Sequence, residues 1–173
     1  MGTDGFEFIE YTAPDPAALR DGVAAITRPD IRWGRCDIKS IALLANILAS
    51  QAAKEHACNE TILHRDGRVT EGASSNVYAV RGGAVITPPK GPEILSGITR
   101  DVLLELLRKS GVAVEEKTLT LDELRSADEV WITSSKREVL PVTALDGKAI
   151  GSGKPGPVWK QAHSKFQALT RAA

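Results

Sequence analysis

Three dipeptides, Asp66-Gly67, Gly82-Gly83 and Asp146-Gly147, stand between short runs rich in branched and aromatic residues, and no other feature of the chain limits its fold as much. Such pairs accept positive φ at both central positions of a type I′ turn, whose twist matches that of the strands on either side. Hairpins are expected from Thr61 to His64 with Arg68 to Thr70, from Asn76 to Val80 with Ala84 to Thr87, and around Asp146-Gly147. Segments of helical period lie between them. Ile41, Leu44, Leu48 and Ala52 mark a helix from Ile41 to about Ala57 with Ser40 as its N-cap. Val102, Leu103, Leu106 and Leu107 mark a second, capped by Thr99 and stopped by Gly111. Further strands are expected over 22–27, 112–118 and 129–133, with a short helix over 121–125 and a final one over 157–168. Hairpins interleaved with helices predict an α+β fold and argue against a doubly wound parallel sheet.

A chain of 173 residues with 42% hydrophobic content fits one globular domain, or one domain plus an extension. Residues 1–21 are expected to be irregular, with Pro14 and Pro16 as breakers. Lys and Arg total 22 against 22 Asp and Glu, so no net field favours nucleic acid or an anionic membrane surface. The N-terminus lacks the pattern of a signal peptide, and no apolar run reaches membrane-spanning length, which points to a cytoplasmic protein. Cys36 and Cys58 cannot build a disulfide framework, and Cys36 reads as a small apolar residue. His56, His64 and His163 have no metal-ligand spacing with them, so no metal site is expected.

The chemistry is carried by a lysine and a carboxylate. Lys39, in Arg35-Cys36-Asp37-Ile38-Lys39-Ser40, is expected where an apolar strand gives way to a helix, and Glu71 follows on a later strand in Thr70-Glu71-Gly72-Ala73-Ser74-Ser75-Asn76. That pairing suits pyridoxal phosphate: the lysine forms a Schiff base with the cofactor aldehyde, and the carboxylate keeps the pyridine nitrogen protonated. A lysine amine is nucleophilic only when deprotonated, so burial by Ile38, Ile41 and Leu43 is expected to lower its pKa from about 10.4 toward 7 or 8, roughly 4 kcal/mol. Gly97-Ile98-Thr99-Arg100 offers amides and a hydroxyl at a helix N-terminus, a ready anion site, and Thr133-Ser134-Ser135 ends a strand in hydroxyls that can complete a phosphate cup. Read singly, each has a plainer explanation: a solvated lysine, a strand-end glutamate, ordinary capping, a turn.

Their order and joint presence resemble the fold type IV pyridoxal phosphate enzymes. Asp37-Ile38-Lys39-Ser40, Ile62-Leu63-His64-Arg65-Asp66-Gly67, Thr70-Glu71-Gly72, Gly97-Ile98-Thr99-Arg100-Asp101 and Pro141-Val142 look most like D-amino-acid aminotransferases. The resemblance implies a hairpin-rich mixed sheet or pseudo-barrel flanked by helices. It also implies transamination of small D-amino acids with 2-oxo acids and assembly as a homodimer. Carried over, Lys39 is the Schiff-base lysine and proton carrier, and Glu71 is the pyridine partner. Ile98, Thr99, Ser134 and Ser135 hold phosphate, Leu95 packs on the ring, Arg32 stands at the cofactor edge, and Ser74 faces the substrate. Residues 22–173 correspond to the larger, cofactor-carrying domain, and the family's smaller N-terminal domain, with its phosphate-binding arginine, is expected to lie outside this chain. Branched-chain aminotransferase and aminodeoxychorismate lyase share the fold. The tyrosine that branched-chain enzymes often place shortly after the lysine has no counterpart at Leu43 or Leu44. A noncatalytic cofactor-binding domain is the reading from another class.

Overall fold

A computed structural model describes residues 14–172. Its elements are α1 (Pro16–Asp21), β1 (Val23–Pro29), α2 (Leu44–Glu55), β2 (Glu60–Arg65), β3 (Arg68–Gly72), β4 (Asn76–Arg81), β5 (Ala84–Thr87), α3 (Ile98–Lys109), β6 (Val114–Glu116), α4 (Leu121–Arg125), β7 (Glu129–Ser134), β8 (Glu138–Leu145), β9 (Lys148–Ala149) and α5 (Pro157–Ala172). The expected hairpins form at their glycine turns, with φ of 49° and 75° at Asp66-Gly67, and 55° and 81° at Gly82-Gly83. Strand order is β3-β2-β1-β8-β7-β4-β5-β6, with β9 on β8. β1 runs parallel to both β2 and β8, and β5 parallel to β6, while the remaining pairs are antiparallel. The result is a mixed, curled sheet, a half-barrel with flanking helices.

Both faces of its central strands are buried. Val77, Ala79, Val130 and Ile132 point into one cluster with Ile62, Leu140 and Leu124. Their neighbours Tyr78, Val80 and Trp131 point into the other, against Leu103 and Leu107 of α3 and Trp159 and Phe166 of α5. Period-two alternation thus divides one sheet between two cores. Glu129 fixes the start of α5, accepting from the amides of Val158 at 2.9 Å and Trp159 at 2.7 Å.

Several expectations are corrected. Pro16 does not keep its segment irregular: it stands in the first turn of α1, where its missing N–H costs nothing, and Asp15 caps that helix. Residues 1–13 lie outside the described part. The second helix begins at Leu44, not Ile41, and Ser40 accepts from the amide of Ala42 at 3.3 Å in a local turn instead of capping it. Thr99 is not a cap either, because α3 starts one residue after Gly97. Among the described residues no helix is long and apolar enough to cross a membrane, and no cluster of three or more His, Cys, Asp or Glu is placed to hold a metal ion.

Candidate active site

Four separated stretches enclose one cavity of about 370 Å³: residues 32–46, the 71–76 connection, the entry to α3, and the end of β7. Arg32, Lys39, Glu71, Ser74, Leu95, Ile98, Thr99, Ser134 and Ser135 all line it. The size suits a small molecule.

Glu71, at the end of β3, is 5% exposed and faces this space. Its Oε2 accepts from the amide of Leu95 at 3.0 Å and from Asn76 Nδ2 at 3.2 Å, and its Oε1 pairs with Arg32. Arg32 is gripped in turn by Asp30, whose two oxygens take Nε at 2.9 Å and a terminal nitrogen at 2.8 Å. Thr70 and Arg65 also reach Asp30, at 3.0 and 3.3 Å. Burial opposes the charge on Arg32, but hydrogen bonds to Asp30 and the nearby Glu71 outweigh it and raise the guanidinium pKa. For Glu71 the balance is reversed. Burial pushes its carboxyl up to about 7, and Arg32 only partly offsets this because Asp30 already holds the guanidinium at two points. One cation shared by two acids leaves the Glu71 carboxyl raised.

Asn76 is the residue that sequence reasoning passed over. Beyond Glu71 it donates to the carbonyl of Leu95 at 2.8 Å and accepts from the amide of Gly97 at 3.2 Å, so one side chain fixes the approach to α3. Its signal was available: an amide with two donors and two lone pairs at the head of a strand, after a run of small residues, has to spend them locally. Gly97 is required by this contact, since a Cβ there would lie 2.7 Å from Asn76 Oδ1. No side chain caps α3, which leaves its first-turn amides and the Thr99 hydroxyl open to water or an anion.

Lys39 lines the cavity from an irregular stretch and is exposed, so the burial expected to activate it is not present. Its apolar neighbours point outward instead: Ile41 is 98% and Leu43 50% exposed. Cys36 is buried, as its apolar reading implies. The donor set suits the cofactor of the sequence resemblance. A primary amine on Lys39, the carboxylate of Glu71, and the amides and hydroxyls of Ile98, Thr99, Ser134 and Ser135, all lining one cavity, match an aldehyde, a ring nitrogen and a phosphate.

A sequence model of the amino-transferase class IV family matches residues 5–145. A D-alanine aminotransferase of Bacillus licheniformis is 51% identical over 148 residues, covering 86% of this chain and 52% of that protein. One from Staphylococcus haemolyticus is 47% identical over 148 residues, with the same two shares of 86% and 52%. Among solved structures, the branched-chain amino acid aminotransferase of Escherichia coli superposes with a TM-score of 0.80 at 32% identity, covering 90% of this chain and 53% of that one. The branched-chain amino acid aminotransferase of Thermobaculum terrenum, in its PLP-form, also gives 0.80, at 29% identity over 85% and 50% of the two chains. The chain spans about half the length of the curated relatives it matches.

Proposed function

This chain belongs to the amino-transferase class IV family, and from that premise we propose that it is the cofactor-carrying part of a pyridoxal-phosphate-dependent D-alanine aminotransferase. Pyridoxal 5'-phosphate is the cofactor of the family. The observation that carries the reading is the convergence of Lys39, Glu71, Ile98, Thr99, Ser134 and Ser135, from four stretches of chain, on a single cavity. Identity near 50% with D-alanine aminotransferases, against about 30% with branched-chain enzymes, favours the D-alanine reading over its nearest alternative.

When bound, the cofactor supplies an aldehyde that takes up an amino group and a ring that draws electron density from the substrate α-carbon. Lys39 Nζ is the base that removes the α-proton and delivers it to the cofactor side. Glu71 holds a proton at the pyridine nitrogen. Amides at Ile98 and Thr99 and the hydroxyls of Ser134 and Ser135 bind the phosphate, Leu95 covers the ring, Arg32 keeps Glu71 in place, and Ser74 orients the substrate. The amino acceptor is a 2-oxo acid. The exposed apolar side of α2, with Ile41 and Leu43 before it, is a homodimer contact in this reading, and the protein is cytoplasmic.

The test combines labelling with turnover. Incubation with pyridoxal phosphate, borohydride reduction and peptide mapping should place the pyridoxyl group on Lys39, and D-alanine should be converted faster than L-leucine. Label mainly on Lys54 or Lys90 overturns the site. Label on Lys39 without turnover of either amino acid supports the noncatalytic alternative.

A further inference from the structure

Tyr78 and Thr133 share one hydrogen bond between two hydroxyls, and counting their protons assigns a direction. The oxygens are 3.0 Å apart, and no other partner of either hydroxyl is found among the described residues. Tyr78 is fully buried, in the cluster formed by Val80, Leu103, Leu107 and Trp131. Thr133 is 1% exposed but lines the cavity beside Ser134 and Ser135. Two hydroxyls carry two protons, and their bond uses one. If Thr133 donated, the phenol proton would be stranded in an apolar core, the costly arrangement for a buried donor. If Tyr78 donates, the Thr133 proton points at the cavity, where a ligand can accept it.

We infer that Tyr78 is a positioning residue: its phenol donates to Thr133 and thereby presents the Thr133 hydroxyl as an additional donor to the phosphate of the bound cofactor. The inference rests on the cofactor reading above. It adds a donor that is oriented before the ligand arrives, as the half-buried Ser134 hydroxyl is by accepting from the amide of Arg137 at 3.1 Å. Such preorganisation lowers the ordering cost of binding.

The experiment measures dissociation constants of pyridoxal phosphate and of unphosphorylated pyridoxal for the chain and for Thr133→Val, Thr133→Ser and Tyr78→Phe. Thr133→Val should weaken pyridoxal phosphate about tenfold or more, the usual effect of losing a hydrogen bond to a charged group, and leave pyridoxal unchanged. Thr133→Ser should restore binding, and Tyr78→Phe should give a smaller loss of the same phosphate-specific kind. Equal losses for both ligands, or no loss in Thr133→Val, overturn the inference. A native chain that binds both ligands equally overturns the phosphate reading of the cavity itself. A Tyr78→Phe variant that binds pyridoxal phosphate as tightly as the native chain overturns the positioning role. Should Tyr78→Phe fail to fold, exchange of the Tyr78 hydroxyl proton in the native chain and in Thr133→Val decides, since a donated proton is protected only while Thr133 can accept it, and equal exchange in both overturns the inference.

Discussion

Arg137 Nη1 lies 2.8 Å from Oε2 of Glu60, joining the turn after β7 to the first residue of β2 across the intervening β1 and β8. Glu60 is 2% exposed and takes three further donors: the amides of Thr61 at 2.9 Å and Ala73 at 3.2 Å, and Ser75 Oγ at 2.7 Å. One carboxylate therefore ties two walls of the cavity together. Arg137→Ala leaves the buried Glu60 carboxylate without its cation and should cost about 3 kcal/mol, the lower end for a broken buried pair because the other donors to Glu60 remain. In Glu60→Ala the charge goes too, Arg137, a third exposed, can rehydrate, and the Ala73 amide keeps the carbonyl of Thr61 at 2.9 Å, so only the Thr61 amide and the Ser75 hydroxyl lose their acceptor and the cost should be about 1 to 3 kcal/mol. Denaturant unfolding of the two variants checks the order, and a loss in Arg137→Ala well below that in Glu60→Ala would mean that the other donors, and not the cation, compensate the buried charge.

The carboxyl of Glu71 gives the unliganded protein a pH signature. An acid whose folded pKa, here about 7, lies above its unfolded value near 4.5 binds its proton more tightly when folded. Its protonation stabilises the fold fully below about pH 4.5, and that contribution fades as pH rises through 7, by a few kcal/mol at most. Glu71→Gln removes the titration. The Tm difference, native minus Glu71→Gln, should therefore fall between pH 5 and pH 8 in cofactor-free protein. A difference that stays flat or rises over that range would show that Arg32 wins the contest with burial.

The hairpins were legible because turn chemistry is local: Asp66-Gly67 needs only its own φ values. The parallel neighbours of β1 were not, since Ala25 pairs with Glu60 and Leu145, and nothing near Ala25 encodes partners so distant. All nine proposed site residues reach one cavity because motif order preserves them even where local structure was misjudged. Local reasoning failed at Thr99, where the helix starts two residues earlier than a capping threonine allows, and at Lys39, whose apolar neighbours turn toward solvent. Asn76 acts through Glu71, Leu95 and Gly97, which lie up to 21 residues away in sequence, and Tyr78 acts through Thr133, which the β4–β7 register brings close.

Gly97→Ala should damage the site more than the fold. Gly97 has φ −71° and ψ 144°, which any residue adopts, so the only obstacle is the 2.7 Å approach of a new Cβ to Asn76 Oδ1. Asn76 is 6% exposed and fixed by its bonds to Leu95 and Glu71, so it yields only by loosening them. A stability loss of about 1 to 3 kcal/mol is expected, with a clear fall in pyridoxal phosphate affinity. Gly91→Ala, where a Cβ would meet nothing within 4 Å, is the control and should change neither quantity. Matching behaviour of the two variants would remove Asn76 from the site's support.

The apolar face around α2 should be an association surface. Leu44, Ile47 and Leu48 are 70%, 60% and 51% exposed, and of this helix only Ala53 is buried. Their i, i+3, i+4 spacing puts them on one stripe, and fully covering each would contribute about 1.5 to 3 kcal/mol. A stripe of this kind left in water favours self-association, and the mouth of the cavity, at Ile38 and Leu43, lies beside it. Sedimentation should therefore report a concentration-dependent dimer. Ile47→Lys should shift it to monomer while leaving monomer stability within about 0.5 kcal/mol, because the side chain makes little use of the core. A chain that stays monomeric at its highest soluble concentration, or a dimer that Ile47→Lys does not weaken, would place the homodimer contact elsewhere.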